Sequence, residues 1–173
     1  MSEPLDTSAV AQRRCPMPLE AALQLIDAAE FAVLSTVDEA GNPYGVPVSV
    51  VRDPESAADA PLLYFHTTPF AGSRKALNMG ANPRVSLVFV GRAETLGSKY
   101  TVDYESVVAA GTAQKLSEPA RIKRAVDLLL ARFAPMCSAE ENAAYIAESK
   151  NYLPALWCVK VERLTGKRHP AAA

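Results

Sequence analysis

The chain has 173 residues, 49% of them apolar, a length and composition that suit one domain with a substantial core. Its 18 Lys and Arg against 19 Asp and Glu give a formal charge of −1, without the basic excess that nucleic acid or an anionic membrane surface calls for. No apolar run approaches the roughly 18 residues of a membrane span.

The opening MSEPLDTSAVAQ has neither a basic start nor an apolar stretch, so the expected location is the cytoplasm and the expected partner a small molecule. Cys15, Cys137 and Cys158 are widely spaced, and the histidines are His66 and His169. That set supports neither a disulfide framework nor a metal site. Residues 1–14 are polar or small and read as a mobile arm, followed by a single domain over 15–167 and a tail over 168–173.

Pro18 precedes LEAALQLIDAAE, where Leu19, Ala22, Leu23 and Ile26 recur at helical spacing, and proline suits a first turn. An amphipathic helix is expected there. From Phe31 to Val37 the β-branched content rises, Asp38 to Pro43 holds turn residues including Gly41, and Tyr44 to Val51 alternates, which together read as a hairpin. In its second strand Tyr44, Val46, Val48 and Val50 share one face; Gly45, Pro47 and Ser49 share the other, which is nearly free of bulk. Pro47 cannot donate to a ladder and Gly45 has nothing to pack, so the strand is an edge, a bulge or the approach surface of another body. A flat aromatic ring is one such body; an ordinary irregular edge explains the pattern as well.

A polar loop over 52–61 leads to the apolar run Leu62 to Phe65, which ends at His66. After a Thr/Pro/Gly loop, Ser73, Arg74 and Lys75 open a helical pattern that Pro83 closes. Ser73 is a good N-cap and Pro83 disfavours helical geometry at Asn82, which predicts a helix over Arg74 to Ala81. A helix N-terminus already carries about half a positive charge and unpaired N–H groups, so two cations there are unfavourable unless an anion joins them. A bound phosphate would resolve the conflict; a solvated cationic face is the plainer alternative.

Arg84 to Gly91 alternates with apolar residues on both faces and is expected to be a central strand. Residues 93–99 read as a connecting loop, and Tyr104 to Lys115 as a long strand that Gly111 bulges or bends. Ser117 is the expected cap of a helix to about Phe133, with Ile122, Val126, Leu129, Leu130 and Phe133 as its buried stripe. Ser138 and Glu141 form a capping box for another helix to about Lys150. Pro154 breaks that pattern, and Leu156 to Leu164 alternates as a closing strand before a Thr165-Gly166-Lys167 turn. About six strands, clustered in sequence and joined by short turns, with three or four helices, favour an antiparallel α+β barrel over a parallel βαβ sheet. No GxGxxG is present, and AGSRK is not a Walker loop.

Three blocks, VLSTVDEAGNPYGVPVSVV, LYFHTTPFAGSRKALNMGANPRVSLVFVG and KYTVDYESVVAAGTAQ, with ERLTGK as a weaker fourth, resemble the pyridoxamine 5′-phosphate oxidase-like FMN-binding split-barrel family. Within it they resemble most the nitroimidazole-resistance (Nim-type) branch. The blocks cover most of residues 31–115 and the last strand. The resemblance implies a six-stranded antiparallel split β-barrel with peripheral helices, assembled as a homodimer with FMN at the interface. Carried across position by position, Arg74 and Lys75 would hold the FMN phosphate with help from Ser73. Pro47, Val48 and Ser49 would lie along the isoalloxazine, His66 and Thr67 beside the cofactor, and Ser106 at a ring-side polar position. Trp157 is expected in a core or interface.

The Arg-rich C-terminal segment with which pyridoxamine-phosphate oxidases grip their substrate is not evident; Arg168-His169 alone stands there, in a tail expected to be loose. The implied activity is therefore that of an FMN-dependent oxidoreductase acting on small electron-poor molecules such as nitroaromatics or quinones. His66 would donate a proton or orient an acceptor, and it is equally suited to sealing the strand end. Two other readings remain: a flavin-binding or electron-carrying protein without turnover, and a haem-binding barrel with His66 as the candidate axial ligand.

Overall fold

In the computed structural model, which describes residues 16–68, 72–148 and 155–169, seven antiparallel strands form one sheet in the order β2-β1-β5-β6-β7-β4-β3. The strands are β1 (Ala32–Val37), β2 (Pro43–Val48), β3 (Val51–Arg52), β4 (Leu62–Thr67), β5 (Arg84–Leu96), β6 (Thr101–Lys115) and β7 (Ala155–Arg168). Four helices surround them: α1 (Leu19–Ala28), α2 (Arg74–Ala81), α3 (Pro119–Phe133) and α4 (Ala139–Glu148). The architecture is the expected α+β split barrel, with the two-residue β3 added to the six strands read from sequence. The arm over 1–14, Cys15 and the tip of the loop after His66 lie outside the described residues.

Alternation fixes which side of the sheet faces the core. Leu34 of β1, Leu87 and Phe89 of β5, Val107 and Ala109 of β6, Val159 and Val161 of β7, and Leu63 and Phe65 of β4 meet in one buried cluster, which α1 enters through Ala22, Leu25 and Ile26. On the opposite side of β3, β4 and β7 a second cluster joins Tyr64, Leu156 and Cys158 to Ala125 of α3, with Ile122, Val126 and Leu129 against it. Arg124 also reaches from α3 to the buried Asp53, at 2.8 Å. A partly exposed pair of this kind contributes only about 0–1 kcal/mol, so the apolar stripe is what holds α3 in place. Within the expected stripe, Phe133 lies exposed, and Ala125, outside that stripe, is the buried residue of α3.

β2 is an edge of the sheet, which accounts for Pro47 without further help. α2 ties the two ends of the sheet together: it follows β4, near one end of the strand order, and is fastened to β1, near the other, where buried Asn78 donates to Thr36 Oγ1 at 2.9 Å. Gly111 is a bulge, as expected: the β6–β7 register shifts between Ala110 and Gly111. A Cβ at Gly111 would lie 2.0 Å from the Lys160 carbonyl oxygen, so no other residue fits.

Several boundaries depart from the sequence reading. Residues 93–96, expected in a loop, extend β5 as one arm of a long hairpin, paired from Ala93↔Tyr104 to Leu96↔Thr101. Thr165-Gly166-Lys167 is not a turn but strand, paired with Val108, Val107 and Ser106. Gly166 sits there because Met17 packs against it, with a Cβ at Gly166 only 2.8 Å from that of Met17. The expected loose tail is engaged as far as His169: Arg168 pairs with Glu105 at 2.7 Å, and His169 Nδ1 lies 3.0 Å from buried Asp103. Glu118, not Ser117, is the N-cap of α3, with Pro119 in its first turn. The capping box of α4 forms as read, Ser138 N donating to Glu141 Oε2 at 2.7 Å and Glu141 N to Ser138 Oγ at 3.1 Å.

Candidate functional site

The site is built where the turn between β1 and β2 meets the start of α2. Asp38 organises that turn: its Oδ1 accepts from Ala40 N at 3.0 Å and from Asn42 N at 2.8 Å, and the Asn42 amide donates to both of its oxygens. These bonds hold the Asp38 carboxyl below the usual carboxylate range, the Asn42 side chain contributing most. α2 occupies Arg74–Ala81, the span read from sequence, with Ser73 in the N-cap position. The Ser73 hydroxyl makes no cap bond; its backbone carbonyl accepts from Ala76 N and Leu77 N.

No acidic residue stands in the first turn of α2, so neither cation is neutralised from within the helix. Arg74 lies with its guanidinium carbon 4.7 Å from the centre of the Tyr44 ring and reaches Asp38 only loosely, at 3.7 Å. Its side chain remains half-exposed, which leaves N–H donors free for an anion. Lys75 is half-buried. Its charge reaches His66, whose pKa lies below the ordinary imidazole value of 6.5 through burial first and Lys75 second. At neutral pH His66 is therefore an uncharged imidazole, able to donate at one nitrogen and accept at the other.

The remaining residues singled out from sequence divide between three places. Pro47 is exposed on the outer side of β2, next to the exposed Gly45; Val48 is buried in the core, and Ser49 is half-buried just past the strand end. His66 is exposed on the outer side of β4, whereas Thr67, the next residue, is buried and accepts from Trp157 Nε1 at 3.3 Å. Trp157 is thus a core residue. Ser106 faces outward on β6, opposite Val90. It shares the outer face with Pro47, but three strand steps separate β2 from β6, roughly 14 Å measured along the sheet. One chain does not bring Ser106 to the same place as Pro47.

That outer face is the other notable surface. Pro47, Val33, Val88 and Val108 follow one another across β2, β1, β5 and β6. Phe31, Val90 and Val108 are exposed. Beside them a groove of about 530 Å³ opens between α1 and the sheet, lined by Leu25, Ala28, Phe31, Val33, Val88 and Val90. A Cβ at Gly45 would meet only Val33, at 3.6 Å, and Ser35, at 4.0 Å, so packing within the chain does not demand the glycine.

Half-exposed cations at a helix start, without an internal acid, fit the phosphate of a flavin mononucleotide; Arg74 lies over Tyr44, on the side of β2 opposite Gly45 and Pro47. Tyr44 and Asp38 were not singled out from the sequence. Tyr44 reads there as one more inward-facing strand residue and Asp38 as a turn former; an aromatic residue beside a turn in a chain that also has a cation pair is too common a signal to select it.

The sequence profile of the family described as "Pyridoxamine 5'-phosphate oxidase" matches residues 18–168. No curated protein sequence matches the chain. Among solved structures, a candidate 5-nitroimidazole antibiotic resistance protein from Bacteroides thetaiotaomicron is similar at 19% identity and TM-score 0.65, over 96% of this chain and 90% of that one. An FAD-binding protein from Mesorhizobium loti is similar at 18% identity and TM-score 0.57, over 90% and 97%. The heme storage protein HutZ of Vibrio cholerae is similar at 18% identity and TM-score 0.61, over 87% and 96%. At these identities the structural likeness speaks for the fold.

Proposed function

The chain belongs to the pyridoxamine 5′-phosphate oxidase family, and from that premise we infer that it is an FMN-binding oxidoreductase that reduces small, flat, electron-poor molecules such as nitroaromatics or quinones. The observation that carries this reading is the half-exposed cation pair at the start of α2, with no acidic residue in that helix turn and with Arg74 over Tyr44 of β2. Arg74 and Lys75 bind the phosphate, with the free N–H groups of the helix start beside them. Gly45 and Pro47 leave room for a planar ring. FMN, when bound, supplies the electron transfer, and the protein supplies binding, orientation and electrostatics. His66, kept neutral by partial burial and by Lys75, would orient a substrate through a hydrogen bond from its ring N–H.

Arg168 and His169 are committed to Glu105 and Asp103, which argues against their gripping a pyridoxamine phosphate and for a substrate without one. The bare outer face and the distance from Pro47 to Ser106 support a homodimer, in which a second copy covers the exposed valines and completes the ring site from its own Ser106. Haem binding is the second reading, favoured by the likeness to a heme storage protein and by the exposed ring of His66.

An absorption spectrum of the purified protein separates the two, with flavin bands near the blue expected and a Soret band overturning the assignment. Changing Arg74 and Lys75 together to Ala is expected to strip the flavin while circular dichroism stays native; full flavin occupancy in that variant would refute the phosphate site. Anaerobic photoreduction followed by a nitroimidazole tests turnover: reoxidation without conversion of the drug would mark an electron carrier.

A further inference from the structure

We propose that Tyr44 is the positioning residue for Arg74 and Asp38 its built-in competitor, so that these two residues of the β1–β2 hairpin set how strongly the chain prefers a phosphorylated flavin over an unphosphorylated one. The inference rests on the FMN reading above and concerns the same site.

Arginine side chains lose about 2 kcal/mol of rotamer freedom when fixed, and one at an exposed helix start is ordinarily free to wander. Arg74 is not free. The Tyr44 ring lies under its guanidinium, 4.7 Å from ring centre to guanidinium carbon, a contact that holds the cation over the ring. Tyr44 is itself held: it pairs with Thr36 across the hairpin, its carbonyl accepts from Thr36 Oγ1 at 3.3 Å, and the same Thr36 oxygen accepts from Asn78 of α2 at 2.9 Å. The helix that carries Arg74 and the ring beneath it are thus fastened to one strand by one buried hydroxyl.

Asp38 acts in the opposite direction. Three donors from Ala40 and Asn42 already engage its carboxylate, and it approaches Arg74 no closer than 3.7 Å. It offers the guanidinium a weak negative charge in the absence of a ligand and repels an arriving phosphate. The backbone N–H groups of the turn need only Asp38 Oδ1, while Oδ2 accepts from the Asn42 amide alone, so substitution by Asn removes the charge and one side-chain contact but keeps the backbone bonds.

The test is titration of the full-length, flavin-free protein with FMN and with riboflavin, followed by quenching of flavin fluorescence. In Tyr44→Leu, which keeps apolar bulk but removes the aromatic face, FMN affinity is expected to fall about two- to fivefold with riboflavin affinity unchanged; Tyr44→Phe is expected to behave as wild type. In Asp38→Asn, which keeps the acceptor oxygen of the turn, FMN affinity is expected to rise by up to about fivefold, again without effect on riboflavin. Equal loss of FMN and riboflavin in Tyr44→Leu would mark Tyr44 as merely structural, and an unchanged or lowered FMN preference in Asp38→Asn would remove Asp38 as a competitor; either result overturns the inference. A wild-type protein that binds FMN no better than riboflavin would overturn the phosphate site itself, a failure visible before any variant is made.

Discussion

The outer face of one sheet is treated in two ways along its length. Over β3, β4 and β7 it is covered by α3, whose Ile122, Ala125, Val126 and Leu129 pack on Tyr64, Leu156 and Cys158. Over β2, β1, β5 and β6 it carries Pro47, Val33, Val88 and Val108, where among the described residues only α1 comes near, across a groove that it leaves open. Both stretches are apolar by sequence; only one is buried within the chain. A run of valines therefore reports that a face is to be covered, and the covering body has to be identified from the fold.

Variants on the two stretches are expected to separate stability from assembly and binding. The largest effect lies on the covered stretch, where Tyr64→Ala should cost about 3 to 5 kcal/mol in chemical denaturation; a loss below about 1 kcal/mol would mean that α3 packs too loosely to count as a cover. On the bare stretch, Val88→Asp should halve the mass seen by light scattering, while the stability of the monomer changes by no more than about 0.5 kcal/mol. An unchanged mass would break the comparison, because the bare face would then be bare in solution too. Gly45→Ala, also on that stretch, should lower FMN affinity by up to about tenfold, roughly 1.4 kcal/mol, with the melting temperature unaffected, since a Cβ there makes only ordinary contacts with Val33 and Ser35. Unaltered affinity would free the glycine of any role in the site.

The smallest effect concerns His66, which stands on β4 opposite Leu156 at the covered stretch. Its folded-state pKa is lowered from 6.5, so the folded chain takes up this proton less readily than the unfolded one. The sign follows: its contribution to stability is unfavourable at low pH, diminishes as pH rises from the folded-state midpoint, and vanishes above about 6.5. A two-dimensional NMR titration should give a midpoint below that of a free imidazole, and bound FMN should raise it, because a phosphate offsets the charge of Lys75. A midpoint unmoved by FMN would place the phosphate away from Lys75.

The sequence was most informative where short-range chemistry decides the outcome. Ser73 and Pro83 bracket α2 at its observed ends, the capping box of α4 needs only residues three apart, and Gly111 is a bulge because no side chain could stand there. It misled where local composition and distant pairing disagree. Thr165-Gly166-Lys167 has the composition of a turn, yet the ladder of β6 and the side chain of Met17 hold it extended. The 93–96 stretch lacks an apolar alternation because both sides of that hairpin arm are exposed, so periodicity had nothing to report.

By itself, then, the sequence determined the helix that starts at Arg74, the cations at its head, the low face of β2 and the family to which those features belong. Only the tertiary structure decided that α2 crosses to β1 through Asn78 and Thr36, that Tyr44 lies beneath Arg74, and that Ser106 stands three strands away from Pro47. The reason is physical: periodicity and capping depend on neighbours within a few residues, which the chain order states, whereas partners 30 or more residues apart are chosen by the free energy of closing the whole sheet, which no local stretch contains.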